Sequence, residues 1–253
     1  MYKPKSTPVS LVDGSDTLTE NLPNPFRLLT WNLHKTDFSH FIHRPIEALL
    51  PIDPPDLLSF QEAATHNQQS LFFNQPFVMA PNIETRHNYY GVLTASHAVM
   101  WGRNQCLTRH RELGYTTHKT ALITEHPLSN GQRLTHINIH AINFVPNRWF
   151  QQELSQLWQW IRHTPGPMII SGDFNTWNRK RVTMLEKAVA ELGLTQVTYP
   201  DKSPIRTLNR QLLDYVFYRG LRVVSARAFH VTDISDHNPL EVVFQTQEQT
   251  DSD

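Results

Sequence analysis

Asp173 and Asn175 stand two residues apart in SGDFNTWN (171–178), directly after the apolar run PMII. A carboxylate and a carboxamide at that spacing, just behind a glycine, make either a polar turn or the rim of a site. The ends of other apolar runs raise the same question. LLTWN closes on Asn32, LLSFQE on Gln61 and Glu62, and INIH on His140. LLD opens a run with Asp214, and SDHNPLEVVF sets Asp236 and His237 just before the last one. Taken singly, each residue has an ordinary explanation: a capping aspartate, a solvated carboxylate, an edge charge or a satisfied strand histidine. Taken together, in order and each at a strand terminus, they are better explained by one shared site.

Carboxylates with amides and imidazoles, and no thiolate among them, suit a hard cation such as Mg²⁺ or Mn²⁺. Such an ion neutralises a phosphoryl oxygen and stabilises a leaving oxygen. A carboxylate within reach of a water then serves as general base.

The runs that would position these groups are short and β-rich: FRLLTW, DLLSF, GVLTA, TALIT, LTHINIHAI, PMII, LDYVFY, LRVVSARAF and PLEVVF. Amphipathic stretches separate some of them. In RWFQQELSQLWQWIRH, the residues Phe150, Leu154, Leu157, Trp158 and Ile161 recur at helical spacing. RVTMLEKAVAELGL puts Leu185, Ala188, Val189 and Leu192 on one stripe, with Gly193 as a stop. A third helix is expected from about Phe38 to Leu50, interrupted by Pro45. Many strands with few helices, and no internal repeat, suggest two packed sheets with helices outside.

The chain has 253 residues, enough for one large domain with a sizeable core. Residues 1–25 and 246–253 are rich in polar residues and read as flexible tails around a domain spanning 26–245. Lys+Arg and Asp+Glu are equal at 23 each, so no global positive field draws the protein to nucleic acid or membrane. The lone Cys106 excludes an intrachain disulfide, and no Cys–His motif surrounds it to make a catalytic thiol. No apolar run nears the ~20 residues that cross a bilayer, and the N-terminus lacks a secretory core. A cytoplasmic setting is the expectation.

The ordered words WN, QE, NIH, GDFN, LD and SDH, spread over residues 31–237, resemble the endonuclease/exonuclease/phosphatase superfamily. Longer stretches (KTALIT, NIHAINF, LDYVFYRGL, SDHNPL) look like its YafD-like bacterial branch. The resemblance implies an α/β fold of the DNase I-like kind, a four-layer α/β/β/α sandwich of two mixed sheets flanked by helices, with the site at one edge of both sheets. It also implies roles. Glu62 would be the principal ligand of a Mg²⁺ or Mn²⁺, with Asn32 and Asp236 nearby. Asp173, helped by Asn175, would orient or deprotonate the attacking water. His237, oriented by Asp214, would contact the scissile phosphate, and His140 would act as general acid or phosphate clamp. Attack would be in line, on a phosphodiester substrate, nucleic acid by preference, in a monomeric enzyme. His140 at the NIH position is shared with DNase I-like nucleases and lipid-directed members, and no counterpart of abasic-site recognition helices is present.

Other features carry less. Arg179, Lys180 and Arg181 could steer a phosphate backbone or simply begin a helix, where clustered cations are disfavoured. Lys119 could contact phosphate or be a surface strand charge. Trp31 and Trp177 could stack on a base, though core packing is the simpler role for an indole. Fourteen histidines invite zinc, but HExxH and paired Cys/His spacings are absent, as are serine-hydrolase and P-loop motifs. Two further readings stay open: a small-molecule or lipid-headgroup phosphoesterase, suggested by the balanced charge, and a non-catalytic binding protein of the same fold.

Overall fold

The computed structural model describes residues 9–10, 18–231 and 233–247. Its principal elements are β1 (Phe26–Asn32), β2 (Leu57–His66), β3 (Gln75–Glu84), β4 (Asn88–Ser96), β5 (Trp101–Leu107), β6 (Thr120–Pro127), β7 (Arg133–His140), α1 (Asn147–Ile161), β8 (Met168–Asp173), α2 (Arg179–Glu191), β9 (Asp214–Arg219), β10 (Leu221–Ala228) and β11 (Leu240–Thr246). One sheet runs in the order Val9–Ser10, β3, β4, β2, β1, β11, β10, and the other in the order Thr195–Gln196, β9, β8, β7, β6, β5. Both are mixed: β1 and β2 are parallel, as are β7 and β8, while their other neighbours are antiparallel.

A strict period of two decides what lies between the sheets. From β1, Phe26 and Leu28 enter the inter-sheet core, as do Leu57 from β2, Ile169 from β8, Val216 from β9 and Leu240, Val242 and Phe244 from β11. The alternate residues face outward. Ile137, Ile139, Met168, Ile170 and Phe217 meet the stripe Phe150, Leu154, Leu157, Trp158 and Ile161 of α1 and the stripe Leu185, Ala188 and Val189 of α2. Each large side chain so buried contributes roughly 1.5–3 kcal/mol. Pro146 precedes α1, and the Asn178 side chain caps α2 by accepting from the Arg181 backbone N–H at 3.0 Å. Gly193, in the left-handed region at φ +64°, ends the second helical segment where the sequence puts its stop.

The layer over the other sheet is built differently from expectation. Phe38–Leu50 forms two single 3₁₀ turns, Ser39–Phe41 and Ile46–Ala48, rather than one α-helix. Pro45, extended at ψ 155°, separates them. Trp31, Phe38, Phe60, Phe72 and Phe73 pack beneath, so aromatic rings and coil do the covering that helices do on the opposite face.

Part of the stretch 1–25 expected to be loose is tied down. Thr19 bridges Ala98, Leu22 bridges Leu128, and Leu22 is wholly buried. An apolar side chain of that size stays docked where the rims of the two sheets can cover it. The rest of the expected N-terminal tail, residues 1–8 and 11–17, and residues 248–253 lie outside the described residues. Among the described residues, no helix is long and apolar enough to cross a membrane.

Candidate active site

Going up from the core along the inward parity, the side chains turn polar. Ser59 and Ser171 hydrogen-bond across the gap at 2.8 Å, and Gln61 Nε2 donates to Asn138 Oδ1 at 2.8 Å. One step further, the same parity delivers Asn32, His140, Asp173 and Asp214 to a single mouth. Asp173 is the register partner of His140 in the parallel pair and of Asp214 in the antiparallel pair. Gly172 permits this close approach: a Cβ there would stand 2.1 Å from the Ile139 carbonyl oxygen, and its φ is +134°.

Glu62 reaches the mouth by another route. In an unbroken strand it would face away from Gln61, toward the outer layer. The register of β2 shifts between Phe60 and Ala63, and Glu62 adopts φ +51°, so the bulge swings its carboxylate to the site. A left-handed non-glycine residue costs on the order of 1 kcal/mol, held here by Lys35 N–H donating to the Glu62 carbonyl at 3.0 Å.

The groups then meet. Asp173 Oδ2 accepts from Asn32 Nδ2 at 3.1 Å and lies 3.5 Å from His140 Nε2 and 3.8 Å from His237 Nε2. Its Oδ1 accepts from the Asn175 backbone N–H at 2.9 Å. His237 Nδ1 is 2.8 Å from Asp214 Oδ2. Glu62 Oε1 lies 3.0 Å from Lys119 Nζ and 3.7 Å from His140 Nε2, and Oε2 lies 3.4 Å from Lys35 Nζ. Asn175, also left-handed at φ +51°, donates from Nδ2 to the Ala141 carbonyl at 3.0 Å. Glu62, His140, Asp173 and His237, whose words are scattered along the sequence, therefore form one continuous set of contacts.

Their environments drive the protonation states apart. Burial pushes the Asp173 carboxyl up to about 7, against the pull of His237 and with the push of Asp214. Burial opposes the charge on His237, but the charge and hydrogen bond of Asp214, with Asp173 and Asp236, push it up to about 9. Burial, reinforced by the Lys119 ammonium, holds His140 well below its ordinary value, so it is neutral at pH 7. Burial also works against the charge on Glu62, yet His140, Lys119 and Lys35 outweigh it and keep that carboxyl below the usual range. With His140 neutral, the two lysines do the holding.

Asp236 departs from the expected metal set. Its carboxylate stands at the rim, 41% exposed, 3.2 Å from Arg206 and 3.6 Å from His34 Nδ1. The bend at SDH, before the last strand, sends His237 inward to Asp214 and leaves Asp236 toward solvent. A tighter group of potential ligand atoms is Asp173, Asp214 and His237, all within 4.8 Å of one another. Within that trio the His237–Asp214 contact is a short hydrogen bond, and, against burial, the two carboxylates push the imidazole up.

A divalent ion does fit the donors around Glu62. Its Oε2 is buried and accepts no hydrogen bond; nearby, Asp173 offers a carboxylate and Asn32 a carboxamide oxygen that accepts from the His34 backbone N–H at 3.0 Å. Carboxylate and carboxamide oxygens are what a hard cation takes.

Of the secondary features, Arg181 cannot steer phosphate. It is wholly buried, donating to the carbonyls of Ile142, Asn175 and Val145 at 3.2, 2.9 and 2.8 Å, and it lies over the Phe150 and Trp177 rings. Trp31 is core, its indole N–H donating to the His237 carbonyl at 2.8 Å, and Trp177 donates to Asn143 Oδ1 at 2.8 Å. Lys119 is buried, not a surface charge. Sequence reasoning missed Lys35, Glu112 and Arg206 altogether. Lys119 had one usable signal, its place just before Thr120, the register partner of His140; Glu112 in RELGY had none.

The comparisons agree with this geometry. The model of the Endonuclease/Exonuclease/phosphatase family matches residues 29–237. A UPF0294 protein of Erwinia tasmaniensis is 34% identical over 226 residues, 86% of this chain and 80% of that one. A UPF0294 protein of Yersinia pseudotuberculosis is 34% identical over 242 residues, 92% and 90% of the two chains. These are the relatives of the YafD-like branch anticipated above. Among solved structures, an endonuclease/exonuclease/phosphatase family protein from Leptotrichia buccalis superposes with a TM-score of 0.61 at 16% identity, over 87% of this chain and 99% of that one. The human Nocturnin catalytic domain with bound sulfate gives 0.61 at 19%, over 96% and 97%. D. rerio TDP2 complexed with single-strand DNA product gives 0.52 at 16%, over 87% and 99%. With two mixed sheets meeting at one edge, and the match running from β1 to His237, this chain belongs to the endonuclease/exonuclease/phosphatase family.

Proposed function

We propose that this protein is a divalent-metal-dependent phosphodiester hydrolase acting as a nuclease. The observation that carries the proposal is the convergence on Asp173 Oδ2 of two imidazoles in opposite protonation states: His140 at 3.5 Å, neutral, and His237 at 3.8 Å, charged. A phosphate between them meets a cation and a neutral donor, and a buried carboxylate poised near neutrality is at hand to take a proton from water.

Glu62 and Asn32 are the residues proposed to hold a Mg²⁺ or Mn²⁺, which when bound supplies polarisation of a phosphoryl oxygen. Asp173 accepts the proton of the attacking water, its carboxylate held in place by the Asn175 backbone N–H on Oδ1 and by Asn32 Nδ2 on Oδ2. Asp214 fixes His237 with Nε2 toward the site. The neutral state of His140 favours the phosphate-clamp role over the general-acid role implied by resemblance. Asp236, at the rim, is proposed to lean on His237 electrostatically rather than to ligate.

Nucleic acid is the proposed substrate; the single-strand DNA product in the TDP2 complex supports it by likeness of fold. Balanced charge keeps a small-molecule or lipid-headgroup phosphodiester as the second reading. The protein is proposed to act as a monomer in the cytoplasm, where its one cysteine, whose thiol burial pushes up to about 11, would stay unreactive. Purified protein with Mg²⁺ or Mn²⁺ should cleave single-stranded or plasmid DNA, and D173A should not. Turnover confined to sphingomyelin or inositol phosphates transfers the proposal to the second reading. Cleavage that survives EDTA or D173A sinks both, and no turnover of any substrate, bis-p-nitrophenyl phosphate included, favours a binding protein.

A further inference from the structure

Lys119 is buried between two carboxylates from separate segments. Its Nζ is 3.0 Å from Oε1 of Glu62, on the bulge of β2, and 3.6 Å from Oε2 of Glu112, in the 3₁₀ turn Glu112–Gly114 between β5 and β6. Glu112 is fixed from behind, its Oε1 accepting from the Asn143 backbone N–H at 2.8 Å. Lys35, the other cation on Glu62, is half exposed, with its backbone in the left-handed region at φ +60°, and can swing into solvent. Lys119 has no such exit: its side chain is 9% exposed, and among the described residues the only other carboxylate it pairs with is Glu112.

We propose that Lys119 is a built-in competitor for the metal ligand Glu62, and that Glu112 is the second seat to which its ammonium shifts when a divalent cation takes Glu62. This inference rests on the reading of Glu62 as a metal ligand. A divalent ion held by Glu62, whose Oε1 already carries an ammonium at 3.0 Å, is strongly repelled in so poorly solvated a place. The repulsion falls as the ammonium moves the short way toward Glu112, whose carboxylate is already held in position. Lys119 thereby sets how tightly the site holds its ion, a positioning role exerted through Glu62.

The test is calorimetric titration of the full chain with Mn²⁺, with thermal unfolding in EDTA alongside. Removing the competitor in K119M should tighten Mn²⁺ binding about ten-fold, and it should lower the unfolding temperature in EDTA, because Glu62 and Glu112 then face each other unscreened. E112Q should weaken Mn²⁺ binding several-fold by removing the second seat, and that effect should vanish in the K119M/E112Q double variant. A merely structural lysine would lower stability without tightening metal binding, so unchanged or weaker binding in K119M overturns the inference. So does an E112Q effect that persists without Lys119. Should K119M fail to fold, E112Q alone decides: binding equal to wild type overturns the proposal. Absence of Mn²⁺ uptake by every variant overturns the metal reading of the site as well, and so is distinguishable from failure of the Lys119 role alone.

Discussion

Asp214 Oδ2 lies 2.8 Å from Nδ1 of His237, and this contact leaves Nε2 as the nitrogen that faces Asp173. The two aspartates are register partners at the edge of one sheet, whereas His237 arrives from the turn before β11 of the other. This contact of the proposed catalytic set is therefore a bond between sheets, and it exists only while the sandwich is closed.

Because Asp214 is the chief force raising His237 against burial, D214N should both disorient the imidazole and let its proton go. In the wild type, phosphodiester cleavage should rise with pH through about 7, as Asp173 ionises, and fall as pH rises through about 9, as His237 loses its proton. In D214N that fall should move down by a pH unit or more, with kcat lower by on the order of 10²–10⁴-fold. A pH–rate profile of both proteins checks this. An unmoved alkaline limb would mean that His237 does not report there.

Arg181 ties together the loops that carry the site. Its guanidinium spans the carbonyls of Ile142, Val145 and Asn175, two residues on from Asp173. R181M leaves those carbonyls without their donor and should cost about 3 kcal/mol. R181K should recover less than half of the loss, because one ammonium cannot span three acceptors. Urea midpoints at constant m-value measure the stability, and activity should fall more steeply than stability as Asn175 loosens.

The inter-sheet core also stores an acid sensitivity. Burial pushes His126 down to about 3, and His136, 2.9 Å from Ser171 Oγ, is also held well below its ordinary value. Unfolded, each imidazole takes up its proton near 6.5, so between there and about pH 3 the unfolded chain binds more protons. Stability is then fully present above 6.5 and is lost as pH falls toward 3. In H126L the slope of unfolding free energy against pH in that window should be shallower by about one proton. Equal slopes in denaturant titrations across the window would refute it.

The parts of the site legible in the sequence were those set by a period of two. Asn32, His140, Asp173 and Asp214 end or begin runs whose alternation already fixes their facing, and apolar spacing likewise drew α1 and α2. What escaped was set by departures from that period or by burial. Glu62 was read off the end of LLSFQE and its ligand role was implied by resemblance, but the left-handed bulge that turns it inward leaves no mark there. Arg181 reads as a surface cation in NRKRV, since only the folded loops supply the carbonyls that let it be buried. Around Phe38–Leu50 the apolar count suggested a helix, and Pro45 with a cluster of rings produced two short turns instead. Lys119 and Glu112 become partners only through the fold.

The place of the metal is where resemblance and geometry part, and two variants separate them. Glu62 is nearly buried, and its Oε2 accepts no hydrogen bond, so E62Q removes the charge that a divalent ion would neutralise. Asp236 is half solvated and already faces Arg206. Mn²⁺ affinity measured by calorimetry should fall in E62Q by on the order of 100-fold, the scale on which losing a directly bound charge acts. In D236A it should change by no more than about 3-fold, the scale of a screened surface charge. If the two variants lose affinity equally, Asp236 must swing inward on binding and abandon Arg206. A companion variant would then show it, because R206A should tighten the ion by freeing that carboxylate, whereas a rim-bound Asp236 leaves R206A without effect on affinity.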